Sequence, residues 1–166
     1  MLGLTSLGLV HTAIALVALV TGFWALARDK EITPKTQLGR VYLATTLLAA
    51  LTSLGIFQHG GFGKPHVLAL LTLAALAVGF VAATMSMFGS KSRYVQAICF
   101  TATLLFHLIP GFTETLTRLP ATQANFPNAD APALQPIFGL LFLLFLVVLV
   151  LQIRRLRAAS GQASAR

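Results

Sequence analysis

The run Phe138-Gly139-Leu140-Leu141-Phe142-Leu143-Leu144-Phe145-Leu146-Val147-Val148-Leu149-Val150-Leu151 contains no polar side chain. A surface helix of a soluble domain shows an apolar stripe, whereas one apolar on every side belongs inside a core or in lipid. At a rise of about 1.5 Å per residue, about 20 residues cross the roughly 30 Å of bilayer hydrocarbon. The stretch 134–153 is of that length.

Four more apolar runs lie N-terminal to it, at about 2–27, 41–57, 66–88 and 94–109. Together they predict an all-α integral membrane helical bundle of five transmembrane helices. It forms one transmembrane domain over 1–157, followed by a flexible cytoplasmic tail at 158–166. Ala25-Leu26-Ala27 resembles a signal-cleavage site, but no basic residue precedes the run and the run is longer than a signal core, so it reads as a retained span. Composition agrees: 57% of the residues are hydrophobic and 10% charged, and the mean hydropathy is +0.84. A soluble domain carries about 25% charged residues.

The formal charge of +8 does not point to nucleic acid, because the basic residues cluster between the spans. Arg28, Lys30, Lys35, Arg40, Lys91, Arg93, Arg154, Arg155, Arg157 and Arg166 fall on one side of the predicted bundle, and only Lys64 and Arg118 on the other. By the positive-inside bias the N-terminus is expected outside and the C-terminus in the cytoplasm. The single cysteine, Cys99, excludes an intramolecular disulfide and a C-x-x-C site.

Local signals refine the elements. Thr33-Pro34 predicts an N-cap with proline at the first helical position. Ala75, Gly79 and Ala83 make a small-xxx-small row that predicts a central third helix. The fifth, apolar all round, is expected at the periphery against lipid or a membrane-protein partner. The outer turn Gly60-Gly61-Phe62-Gly63-Lys64-Pro65 lacks the Gly-Lys-Ser/Thr ending of a phosphate loop. The connection 111–132 is expected to be external and irregular toward its end. Pro110 has no N–H and clashes with the preceding turn, so the fourth helix is expected to kink or end there.

Ionisable residues inside a membrane are costly and are functional candidates. With orientation set, all four histidines fall in the outer half. His11 and His107 come out at similar depth and form a candidate pair of haem ligands. His59, His66 and Glu114 lie near the outer mouth and form a candidate two-histidine, one-carboxylate site for a transition metal. Arg118 and Lys64 could neutralise haem propionates, or equally reach lipid headgroups. The plainer readings are a helix-to-helix hydrogen bond for His11 and His107, loop exposure for His59 and His66, and an i,i+4 ion pair for Glu114 with Arg118. No pattern identifies a catalytic group. Thr113, Thr115 and Thr117 are expected to bond backbone near Pro110 rather than to react.

The segment His107-x-x-Pro110-x-x-x-Glu114-x-x-x-Arg118-x-Pro120, with Leu38-Gly39-Arg40-Val41-Tyr42 and Phe62-Gly63-Lys64-Pro65-His66, resembles an uncharacterised family of small multi-span bacterial membrane proteins. The resemblance implies a bacterial inner-membrane location and a compact helical bundle, and it brings no function. Relatives in the broader group carry a histidine shortly before the Gly-Arg-x-Tyr step. This chain has Lys35-Thr36-Gln37 there, which counts against a metal or haem site on the cytoplasmic side. Similarity to b561-type cytochromes is looser, because those proteins place histidine pairs on both sides of the membrane.

The functional expectation is therefore a haem b or transition-metal protein that uses outer-half histidines, with electron transfer as the use. The alternatives are a non-catalytic accessory or assembly subunit docking through the fifth helix and, third, a small transporter, for which no inverted repeat is evident.

Overall fold

The computed structural model describes residues 5–57 and 61–164. They form five α-helices: α1 at Ser6–Asp29, α2 at Gln37–Ser53, α3 at Lys64–Thr84, α4 at Ser92–Arg118 and α5 at Leu134–Ser164. A short 3-10 stretch, Ser86–Lys91, leads into α4, and no strand occurs among the described residues. Four of the helices, all but α2, are long and apolar enough to cross a membrane. The 17 residues of α2 give about 26 Å, at the short end of the spanning range. The chain is an all-helical membrane bundle.

Hydroxyl side chains fix where the first two helices begin. Gly8 N–H donates to Thr5 Oγ1 at 3.1 Å, which caps α1. For α2 the structure corrects the expected start, since the cap is Thr36, which accepts from Gly39 N–H at 3.1 Å. The reason lies in Thr33, whose carbonyl accepts from Thr36 N–H at 3.3 Å and whose hydroxyl accepts from Lys35 N–H at 3.4 Å. Pro34 thus sits inside a tight turn, which its fixed φ also suits, and the helix begins three residues later than Thr33-Pro34 predicts.

Of the two outcomes expected at Pro110, a kink or an end, the structure excludes the end. Helix α4 runs through Pro110 to Arg118. Proline withholds the N–H that would bond the Phe106 carbonyl, and a membrane helix tolerates that loss; the threonines beyond it bond back to their own helix. Thr113, Thr115 and Thr117 donate to the carbonyls of Ile109, Gly111 and Thr113 at 2.8, 2.7 and 2.8 Å. Residues 119–133 are turns without regular structure, as the sequence predicts. Helix α5 continues to Ser164, where a loose tail from 158 is predicted.

Packing makes α4 the central helix, in place of α3. Helix α4 packs against α1, α3 and α5, and its Thr103 and His107 bond to α2. It buries Gln96, Thr101 and Thr103 beside Phe100, Leu104 and Leu105. Of the small-residue row in α3, only Gly79 is buried; the buried stripe is Thr72, Leu76, Gly79 and Ala82. Gly79 receives the Phe100 ring rather than a second backbone. The core gathers Ala18, Ala25, Ile32, Tyr42, Leu43, Leu76, Phe100 and Leu104.

The helices alternate in direction, so the two ends differ in charge. Turns 30–36 and 85–91, together with the C-terminal part of α5, share one end, where Arg93 Nη2 meets Glu31 Oε1 at 3.2 Å. Lys64 pairs with Asp130 at the other end. Helix α5 packs chiefly on α4 and leaves Leu140, Leu143, Val147 and Leu151 exposed. An unbroken apolar surface of that kind is what lipid covers.

Candidate functional site

The polar interior of the bundle runs along α2, and its hydroxyls hold the two histidines that face it. His11 Nδ1 lies 3.0 Å from Thr52 Oγ1. Thr52 gives its own hydroxyl proton to the carbonyls of Leu48 and Ala49 at 2.8 and 3.0 Å. With that proton spent, the Thr52 oxygen is free to accept from a His11 Nδ1–H, and the His11 ring also reaches the Ala49 backbone.

The second histidine ends a longer hydrogen-bonded chain. Thr103 donates to the Phe100 carbonyl at 2.7 Å, so the Tyr42 hydroxyl, 2.7 Å away, donates to Thr103. That leaves the Tyr42 oxygen to accept from Thr46, which is within reach. Thr46 Oγ1 then accepts from His107 Nε2 at 3.2 Å. The order is His107, Thr46, Tyr42, Thr103, and finally a backbone carbonyl. His107 keeps its lone pair on Nδ1.

Both rings of the expected haem pair are therefore hydrogen-bonded across helices, as the plainer reading has it. The two are within electrostatic reach of one another, and Glu114 is within reach of His11. Their threonine anchors are six residues apart on α2, a stagger of about 9 Å along its axis. His107 is thus anchored deeper than His11, where the sequence predicts similar depth.

The mouth-level set does not come together among the described residues. His59 lies outside them. His66 is 3% exposed, stacked between the rings of Phe57 and Phe62 at centroid distances of 4.7 and 5.2 Å. Its Nδ1 accepts from Gly63 N–H at 3.2 Å and closes the capping box of α3. With Nδ1 accepting, Nε2 carries the proton, so this tautomer has no spare lone pair. Glu114 forms the i,i+4 ion pair with Arg118, and Lys64 is held by Asp130. No group of three His, Cys, Asp or Glu side chains able to hold a metal ion occurs among the described residues.

The Glu114–Arg118 side chains are 53% and 29% exposed, so solvent screens the pair. A double-mutant cycle with Glu114→Gln and Arg118→Gln, read from stability in detergent, is expected to give a coupling of about 0.5 kcal/mol. A value above about 2 kcal/mol would instead make the pair part of a buried unit with His107.

A second polar site, at the basic end, has no counterpart in the sequence reading. Gln152 is buried; its Oε1 accepts from Thr101 at 2.9 Å and its Nε2 donates to the Lys30 carbonyl at 3.3 Å. Gln96, also buried, donates to the Ile32 carbonyl at 3.4 Å. A cleft of about 50 Å³ lies there, bounded by the end of α1, the first turns of α4 and residues 152–156 of α5. One signal was available: Gln152 falls inside the predicted span 134–153, where an amide must find partners.

Compared with known protein families, with characterised proteins and with solved structures, the chain matches none. Fold and site together define a helical membrane protein with an inter-helical polar core.

Proposed function

We propose that this is a bacterial inner-membrane protein, N-terminus outside, that binds a haem or a transition-metal ion in the outer half of its bundle. The observation that supports this is the pair of imidazoles each hydrogen-bonded through one ring nitrogen to a threonine of α2. Ligating histidines characteristically donate their second ring N–H to a neighbouring group, which orients the ring and aims the lone pair. His11 and His107 are held in this manner by Thr52 and by the Thr46–Tyr42–Thr103 chain. With the two anchors staggered along α2, we take His107, the more deeply anchored, as the principal ligand and His11 as lying on its outer side. Electron transfer is the use we propose for it, since a low-dielectric site would tune the potential of a bound haem.

A visible spectrum and metal analysis of the detergent-purified full chain test this reading. A haem protein is expected to show a Soret band that His107→Ala abolishes and His11→Ala shifts. Stoichiometric iron, copper or zinc without that band would assign an ion instead. Colourless, metal-free protein from cells supplied with haem and metals would sink the reading and leave the accessory-subunit alternative.

Orientation has its own test. In a Cys99→Ala background, Gln123→Cys is expected to react with an impermeant thiol reagent on intact spheroplasts and Lys35→Cys to react only after lysis. Both positions are exposed, so the reversed pattern would invert the topology.

A further inference from the structure

We infer that the cleft at the basic end holds the phosphodiester of an anionic phospholipid, of the phosphatidylglycerol type, at Lys30 and Arg155. One contact brings these two cations to the same mouth. Gln152 donates from Nε2 to the Lys30 carbonyl at 3.3 Å, and Arg155 follows three residues later on the same face of α5. Both residues line the cleft and both are exposed. Lys30 gives one ammonium proton to the Ala27 carbonyl, which leaves two. Arg155 makes no ion pair or hydrogen bond among the described residues, so its planar fork is open to an anion.

The acids of the cleft do not cancel these charges. Asp29 takes two bonds from Arg28, at 2.7 and 3.0 Å, and Glu31 is engaged by Arg93 at 3.2 Å. Each acid therefore has its own arginine, and Lys30 and Arg155 are the surplus. Their complement is an anion with two acceptor oxygens, which the non-bridging pair of a phosphodiester supplies. The 50 Å³ of space holds a few water-sized groups, so it admits those oxygens and leaves the rest of the headgroup outside. An ethanolamine or choline headgroup would bring a further cation beside Lys30, Arg93 and Arg155 and find both acids engaged, whereas glycerol adds only hydroxyls.

Position favours a lipid over a soluble phosphate ester. Ile98 and Leu151, next in sequence to lining residues Ala97 and Gln152, are exposed and apolar. Acyl chains therefore have a surface on α4 and α5 directly beside the charged mouth. Basic residues flanking a span attract anionic headgroups in general; here two of them are fixed at one cleft. This inference does not depend on the histidine site.

Native mass spectrometry of the detergent-purified full chain, with dioleoyl phosphatidylglycerol, phosphatidylethanolamine and phosphatidylcholine added separately, tests it. Phosphatidylglycerol is expected to be retained roughly tenfold better than the other two, which carry no net charge. Arg155→Gln and Lys30→Gln should each cut that retention several-fold. Arg154→Gln and Arg157→Gln remove exposed charges of the same helix that do not line the cleft, and should leave it unchanged. If Lys30→Gln fails to fold for want of its bond to Ala27, the comparison of Arg155→Gln with Arg154→Gln decides. Equal retention of all three lipids, unchanged retention in Arg155→Gln, or an equal loss in Arg154→Gln, the mark of diffuse charge, would overturn the proposal. So would binding of soluble glycerophosphoglycerol without retention of the lipid, which would give the cleft to a water-soluble phosphodiester.

Discussion

Gly39→Ala is expected to lower the melting midpoint of the detergent-purified protein by about 8 °C, corresponding to about 3 kcal/mol. A Cβ at this position would stand 1.9 Å from the Thr33 carbonyl oxygen and 2.8 Å from its carbon. The obstacle is backbone, and it cannot rotate away. Thr33 is itself held, since its carbonyl accepts from Thr36 N–H and the residue is 5% exposed. The methyl group therefore has to lift the 30–36 turn off the first turn of α2. That movement would also disturb Ile32, which is fully buried and whose carbonyl accepts from Gln96. A control at Gly111, where a Cβ meets nothing within 4 Å, should change little. Equal midpoints for Gly39→Ala and the wild type would show that the turn does not pack as described.

The second large effect joins α3 to α4. Gly79→Ala is expected to cost about 2 kcal/mol, because the new Cβ would lie 2.3 Å from Phe100 Cε1 and 2.7 Å from Cδ1. Phe100 is fully buried, in edge contact with Phe80 at a centroid distance of 5.5 Å, so its ring has no room to retreat. The clash can be relieved from the other side. Phe100→Leu alone should destabilise by about 2 kcal/mol through the volume it empties, whereas the double variant should recover at least about 1 kcal/mol relative to the sum of the singles. Strict additivity would mean that the two residues do not meet. The same contact explains why a row of small residues in α3 does not make that helix central: one glycine accepts one ring, and the ring belongs to α4.

The candidate site was legible in part. His11 and His107 stand out in the sequence because imidazoles inside apolar runs are conspicuous, and the structure places both on the polar face of α2. Their partners were not legible. Thr46 and Thr52 are two of several threonines in α2, and nothing local separates them from Thr45, which bonds only to its own helix. Glu114 with Arg118 was legible as a pair, since i,i+4 spacing on a helix is a local property. The role of His66 was not. It reads as a mouth-level ligand but serves as the cap of α3 between two phenylalanine rings.

The sequence by itself determined that this chain lives in lipid, that it has five helical segments, and which basic residues share an end. Each of these is a sum over neighbouring residues: hydropathy adds along a run, and charge counts add within a connection. Tertiary structure alone decided that α4 is central, that helix passes through Pro110, that Gln96 and Gln152 are buried, and that Glu31 meets Arg93 beside Arg155. Those outcomes depend on how each helix is rotated and raised against the next. A turn of about 100° per residue carries a side chain from lipid to core, and no local sum records it.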